Sequence, residues 1–439
     1  MIAPFRILCP WQEPDKLAFE LIQEWGESGL IWLDGDGSQL SRWVTLATNP
    51  IEYICCRGLP NEQKASNPFN ALRNLNAGHW TGWLSYEAGA WIEPSCHWKI
   101  DSMATLWIAS HDPVLKFDLK KHELWLEGSS KESCEELFRW LKKIKNKNPN
   151  TRRKPKEIPV NSWEWSTDNT TFAKNVNLIK KLIESGDIFQ ANLSTCCTTA
   201  IPTEISAADI FYELRKTCSA PFAGLIIGSG EASGEAIISS SPERFLRVLP
   251  NGKIETRPIK GTRPRNVDPI IDSNCAADLI SNAKDRAENI MIVDLLRNDL
   301  GKVCQPGSIK VSKLLGLESF KQVHHLTSVI EGELQSNKSW VDALEACWPG
   351  GSITGAPKIR ACQRLNEIEP IARGPYCGSL LNLGWNKVFD SNILIRSFML
   401  KDLTLRAHAG CGIVADSDAT QETEELKWKI MPLIQSLAR

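Results

Sequence analysis

Two carboxylate-bearing helix faces, one lysine in an extended basic segment and two glycine-rich turns are the places where this sequence could do chemistry. Asp285 and Glu288 stand three apart in KDRAENIMIVDLLRND, so they share a helix face. Glu422, Glu425 and Lys429 fall at i, i+3 and i+7 in QETEELKWK, again on one face. Neither helix offers Cys or His at these positions. If the faces converge, the ligands are hard oxygens, and Mg²⁺ with retained waters is the fitting metal. Taken alone, each face reads as solvated surface. The segment from Thr256 to Arg265, TRPIKGTRPR, is kept extended by its prolines, and Gly261 lets a ligand approach the backbone. Lys260 lies between Ile259 and Gly261, where desolvation would lower an amine toward the nucleophile range. Without a site around it, the same segment is an ordinary exposed basic loop.

Trp348–Lys358, WPGGSITGAPK, opens a helix over Ile359–Leu365, and a Gly-rich helix entry is an anion site. It is not a P-loop, because Ala-Pro-Lys follows Gly355. Gly410-Cys411-Gly412-Ile413-Val414-Ala415 matches GxGxxA in form. Too few residues follow it for a βαβ unit, so a turn offering N–H groups to an anion is the better reading. His324-His325 precedes Leu326-Thr327-Ser328, a pairing more often structural than catalytic. Glu243 ends a strand in Ser241-Pro242-Glu243, where a positioned carboxylate is useful. Together these features describe a Mg²⁺-dependent pocket for a small dianion, with one Lys, one His and one Glu for proton or nucleophilic work.

The elements that must position them alternate between helix and strand signals. Asp168 precedes an amphipathic run, Phe172 to Glu184, and Ala276 to Leu296 reads as one long helix. Ile188–Thr199, Gly224–Gly228, Ala236–Ser240 and Phe245–Leu249 read as strands. Ile393–Met399 and Leu403–His408 look like a hairpin turning near Lys401-Asp402. Several antiparallel strands with long helices predict an α+β fold. Composition shifts at Leu141–Pro159, LKKIKNKNPNTRRKPKEIP, which reads as a helix end and surface linker. That places an N-terminal region at 1–140, a linker at 141–160 and a catalytic domain at 161–439. The 51 Lys+Arg against 52 Asp+Glu disfavour a nucleic-acid partner. The 14 cysteines include no CxxC, which points to reduced, buried thiols rather than zinc. There is no leader pattern and no apolar run near 18 residues, so no membrane association and a cytoplasmic location are expected.

SPERFL, RPIKGTRPR, DRAENIMIVDLLRNDLG, VHHLTS, PGGSITGAPKIRA and GCGIVADSD, in this order, resemble the chorismate-utilising enzymes. LDGDGS and GWLSYEAGAWIE look like the N-terminal region of that family, so the resemblance covers nearly the whole chain. It implies antiparallel sheets packed in a central sandwich with helices outside. Family members that add ammonia and keep the enolpyruvyl group carry Lys in PIKGT, where anthranilate synthases typically have Ala. The isochorismate and salicylate synthases carry a water-activating Lys where this chain has Gln190. The resemblance therefore implies conversion of chorismate and ammonia to 4-amino-4-deoxychorismate. Anthranilate formation and isochorismate formation are the alternatives. It implies Lys260 as nucleophile, with Glu243 and His325 as candidates for proton transfer. Arg396, Tyr376, Gly410, Gly412, Ser352, Thr262 and Lys429 are the implied substrate contacts. Glu288 and Glu425 are the implied Mg²⁺ ligands, with Glu422 close by; a competing register would use Glu422-Thr423. The usual Glu-Thr pair is Glu425-Leu426 here. No His follows Cys411, so a glutaminase centre is absent and a separate glutaminase subunit, in a heterodimer, is expected to supply ammonia. Relatives hold tryptophan in the N-terminal region, and Asp34–Ser38 lies in the corresponding area.

Overall fold

The computed structural model describes residues 4–38, 40–144 and 156–438. Most of the expected linker, residues 145–155, lies outside the described residues. The fold is α+β, built on two large antiparallel sheets. Among the described residues one sheet has twelve strands and the other ten. Strands from both halves of the chain enter each sheet. In the first, Ile31–Leu33 pairs with Phe222–Ile227; in the second, Trp80–Leu84 pairs with Ser379–Leu383.

Residue alternation explains why the sheets stack. In Leu225-Ile226-Ile227, Ala236-Ile237-Ile238 and Phe398-Met399-Leu400, the middle residue joins the core between the sheets. Its neighbours join the core beneath the helices. Both faces of the first sheet are therefore apolar. One face packs on the second sheet through Ile226, Ile237 and Met399 against Trp83, Leu246 and Leu381. The other is covered by helices Pro14–Trp25, Asn169–Glu184, Ala207–Thr217 and Ala419–Leu437. Each fully buried aliphatic side chain contributes roughly 1.5–3 kcal/mol.

Four local features position the site. First, strand Ile259–Pro264 pairs with Val323–Glu333, with Ile259 opposite Thr327 and Thr262 opposite His325. Three steps on one strand face two on the other, so the strand bulges at Lys260-Gly261. Gly261 has φ +83°, which only glycine adopts without strain, and that allows the bulge. Second, the helix expected over Ala276–Leu296 is two helices, Pro269–Ser281 and Ala283–Gly301. Asn282 makes the break. Its side chain accepts the Asp285 N–H at 2.9 Å, and a capping asparagine competes with continued helix. Third, Ser397–Lys401 and Thr404–Ile413 form the expected hairpin. Fourth, Asp418 caps the last helix by accepting from Thr420 N and Gln421 N, which fixes where Glu422 and Glu425 fall.

Candidate active site

Lys260 leaves the bulge and donates through Nζ to the Ser352 carbonyl at 3.0 Å. The Ser352 hydroxyl in turn donates to Glu243 Oε1 at 2.6 Å. Ser352 lies in the buried turn Gly351–Ile353. The WPGGSITGAPK segment thus reaches the site through this serine, upstream of helix Lys358–Ile368. Desolvation pushes the Glu243 carboxyl up to about 7, although Ser352 and the Lys260 charge pull it down. A carboxyl at that value exchanges a proton near neutrality.

The opposite wall is the pair Gln190–Ala200 and Thr404–Ile413, in which Asn192 faces Gly412 and Ser194 faces Gly410. Asn192 N donates to Thr354 O, and Ser194 N donates to Glu369 Oε1. Both amides therefore point away from the glycine strand. By antiparallel alternation Gly410 and Gly412 turn their own N–H groups outward too. Strand Ser397–Lys401 has no residue opposite them, so these N–H groups are open to an anion. A Cβ on Gly412 would lie 2.8 Å from Gln190 Nε2, 3.2 Å from Glu288 Oε2 and 3.7 Å from Lys260 Nζ. Gln190 Nε2 donates to Glu288 Oε2 at 3.3 Å, while Gln190 Oε1 is buried without a partner.

Arg396 is held at φ +51° at the entry to its strand. Its guanidinium makes no hydrogen bond or ion pair among the described residues, and burial lowers its pKa. A desolvated, unpaired guanidinium is a built anion site. Burial, with the Arg396 charge and His324 adding to it, pushes His325 down to about 3. His325 is therefore a neutral imidazole at pH 7, hydrogen-bonded through Nδ1 to Thr262 Oγ1 at 2.9 Å. Tyr376 is buried and stacks on His408 with ring centroids 5.0 Å apart.

The two carboxylate faces do converge. Burial pushes the Glu288 carboxyl up; Lys260 and Lys284 pull it down, and the Glu425 and Asp285 charges push it further up. Desolvation also pushes Glu425 up, but Lys429, 2.6 Å away, together with the Lys284 and Lys260 charges outweighs it and holds that carboxyl below its usual range. Lys429 Nζ also donates to Gly410 O at 2.8 Å. Glu422 is differently placed. It is 2% exposed, and its Oε1 accepts from Lys284 Nζ at 2.8 Å and Ser417 Oγ at 2.7 Å. Glu288 and Glu425 suit a hard divalent cation: two oxygen ligands, one of them bonded only to a neutral amide. Arg257 and Arg263, the arginines that flank this lysine in sequence, are themselves paired, with Glu318 at 2.5 Å and Asp278 at 2.6 Å.

Helix spacing gave no sign of Cys411. Its Sγ and one carboxylate oxygen each of Glu422 and Glu425 lie within 4.8 Å of one another. The signal was available in the strand: Cys411 sits between two glycines whose backbone faces the site, so its side chain points to the opposite face, toward the last helix. In the N-terminal region Asp34 is engaged by Arg215, with hydrogen bonds of 2.8 and 3.1 Å.

The model of the chorismate binding enzyme family matches residues 30–435. Aminodeoxychorismate synthase component 1 of Salmonella typhimurium is 36% identical over 414 residues, 90% of this chain and 87% of that protein. An anthranilate synthase component 1 of Haloarcula marismortui is 33% identical over 437 residues, 92% of this chain and 85% of its own length. The crystal structure of anthranilate synthase component I from Streptococcus pneumoniae superposes with a TM-score of 0.77 at 28% identity, covering 90% of this chain and 93% of that one. With a match of that extent over a pocket that pairs an unpartnered arginine with open glycine amides, the chain belongs to the chorismate binding enzymes.

Proposed function

We propose that the chain is the large component of an aminodeoxychorismate synthase, which adds ammonia at C4 of chorismate and keeps the enolpyruvyl group. The observation that carries this is Lys260, delivered by its bulge into the pocket and joined through Ser352 to a carboxyl that titrates near neutrality. The 36% identical relative bears that name.

In this reading Arg396 and the N–H groups of Gly410 and Gly412 hold the carboxylates of chorismate, and Tyr376, Thr262 and Lys429 complete the walls. Glu288 and Glu425, with Glu422 beside them, would hold Mg²⁺, which would supply charge neutralisation for the anionic substrate. The unprotonated Lys260 amine attacks C2, the ring double bonds shift, and the C4 hydroxyl leaves as water with a proton from Glu243. Ammonia then bonds to C4 and gives its extra proton to the Glu243 carboxylate, the double bonds shift back, and the C2–Nζ bond breaks to release Lys260 as the free amine. One hard substitution becomes two easier ones. His325, neutral and tied to Thr262, orients the leaving hydroxyl. Ammonia comes from a separate glutaminase subunit, and the setting is the cytoplasmic route to para-aminobenzoate and folate. Among the described residues no helix is long and apolar enough to cross a membrane.

A second reading, anthranilate synthase component I, is favoured by the relative of that name at 33% identity. Purified protein with chorismate, Mg²⁺ and ammonium salt, its products separated by mass, decides between them. An amino product that retains the enolpyruvyl group supports the first reading. Anthranilate plus pyruvate supports the second.

A further inference from the structure

We propose that Arg373 is a positioning residue for the reaction in this pocket: its guanidinium sets the separation between the turn that receives Lys260 and the strand behind the glycine wall. Arg373 lies between helix Lys358–Ile368 and strand Ser379–Leu383 and is 2% exposed. Four of its five N–H groups have partners. Nε and one N–H of Nη2 grip the Glu369 carboxylate at 2.8 and 2.7 Å. The other Nη2 N–H donates to Asn192 O at 2.7 Å, and Nη1 donates to Ile353 O at 2.9 Å. The guanidinium also lies over the Tyr86 ring, 4.7 Å from its centroid.

Each polar partner leads to the site. Ile353 follows Ser352, whose carbonyl accepts Lys260 Nζ and whose hydroxyl donates to Glu243. Asn192 stands opposite Gly412. Its N–H reaches the turn directly, at Thr354 O. Its carbonyl cannot bond the Ile353 carbonyl, since both are acceptors, and Arg373 supplies the donors that join them. Glu369 accepts the Ser194 N–H and hydroxyl, both at 2.8 Å, so the carboxylate that grips the guanidinium is itself tied to the same strand, opposite Gly410. A planar fork holds two carbonyls at a fixed spacing, which a flexible ammonium does not. Arg373 O also accepts the Tyr376 N–H at 3.2 Å, so the same residue anchors the segment that carries the Tyr376 ring. Stability alone does not call for this arrangement, because a buried ion pair is often matched by apolar residues of similar volume.

The proposal rests on the chorismate reading of the pocket. Its test uses the full-length protein and counts chorismate consumed with Mg²⁺ and ammonium, whatever product forms. Anthranilate from the wild type would overturn the aminating reading and leave this test intact. Arg373→Lys keeps the charge beside Glu369 and loses the fork. The double variant Arg373→Met/Glu369→Gln removes both charges, leaves no buried ion of this pair unmatched and keeps an oxygen for Ser194. In each, turnover is expected to fall ~100-fold, the result of misplacing reacting groups by about 1 Å. Chorismate affinity by calorimetry is expected to hold, because Arg396 and the glycine amides are untouched. Ser352 also pulls the Glu243 carboxyl down, so the limb of the pH–rate profile near 7 moves up as the turn loosens. A pair that serves the fold alone would lower urea stability and leave the profile and the turnover of the folded protein as they are, and that result overturns the proposal. So does a loss of affinity that accounts for the whole loss of turnover, and so does failure of both variants to fold.

Discussion

Gly261→Ala tests whether the bulge in strand Ile259–Pro264 is what delivers Lys260. At φ +83° the alanine meets two separate penalties. The backbone conformation costs an L-residue about 1–2 kcal/mol. The new Cβ would stand 2.8 Å from Leu279 Cδ1 and 2.9 Å from Asp285 Cγ. Leu279 is fully buried, and Asp285 is held by Arg263 at 3.1 Å, so neither moves freely. Overpacking of this kind costs about 1–3 kcal/mol. The sum, about 2–5 kcal/mol, is the expected loss in urea unfolding if the bulge persists. If the chain escapes by removing the bulge, Lys260 turns to the other strand face, because side chains alternate with period two. Stability then falls less, and chorismate consumption with Mg²⁺ and ammonium falls by at least ~100-fold, the usual result of a misplacement near 1 Å. The two readouts trade against each other. A variant within about 0.5 kcal/mol of wild type, the ordinary range for a neutral surface change, that also turns over chorismate at the wild-type rate would refute the reasoning.

Three further perturbations probe the rest of the site and its frame. Arg396→Met removes a half-buried, desolvated cation that has no partner among the described residues, so stability should hold or rise while chorismate binds ~100-fold more weakly, as measured by calorimetry; lost stability with unchanged affinity would make Arg396 structural. Glu243→Gln should lower turnover by ~10²–10⁴-fold and remove the limb of the pH–rate profile near 7; a wild-type-shaped profile in the variant excludes Glu243 as proton carrier. Glu87 is buried with its carboxyl pushed up to about 8, chiefly by desolvation. The folded chain keeps that proton while the unfolded chain releases it above the ordinary value of 4.5. The stability tied to it is therefore fully present below 4.5 and is lost as pH rises toward 8, at roughly 1.4 kcal/mol per unit. Glu87→Gln should thus gain on the wild type steadily between pH 5 and pH 8 in urea unfolding, and parallel curves would contradict the assignment.

Period-two alternation and helix caps carry across to the structure because they act within a few residues. The strand expected at Ile188–Thr199 runs Gln190–Ala200, and the run after Asp168 is capped by that residue's own side chain, which accepts the Thr171 N–H. The break at Asn282 is missed for the same local reason read the other way. No Gly or Pro marks it, and an asparagine inside an apolar run declares itself a cap only once its side chain has taken the Asp285 amide. Sheet order is out of reach, since Ile31–Leu33 finds its partner in Phe222–Ile227 through packing and not through any motif. The site divides along the same line. Spacing shows that Asp285 and Glu288 share a face, as do Glu422 and Glu425, but not that Lys284 and Ser417 hold Glu422 while Glu425 meets the field of Glu288. Arg396 is the clearest case. A chain with 51 basic and 52 acidic residues shows its charges but not their pairing. Arg257 and Arg263 stand in the most basic stretch of the catalytic motifs, and both are neutralised by neighbouring carboxylates. Arg396 follows the apolar Ile393-Leu394-Ile395 and, among the described residues, is left without a counterion in a half-buried position. An anionic substrate goes where the fold has withheld the counter-charge, and local positive density is a poor guide to that place.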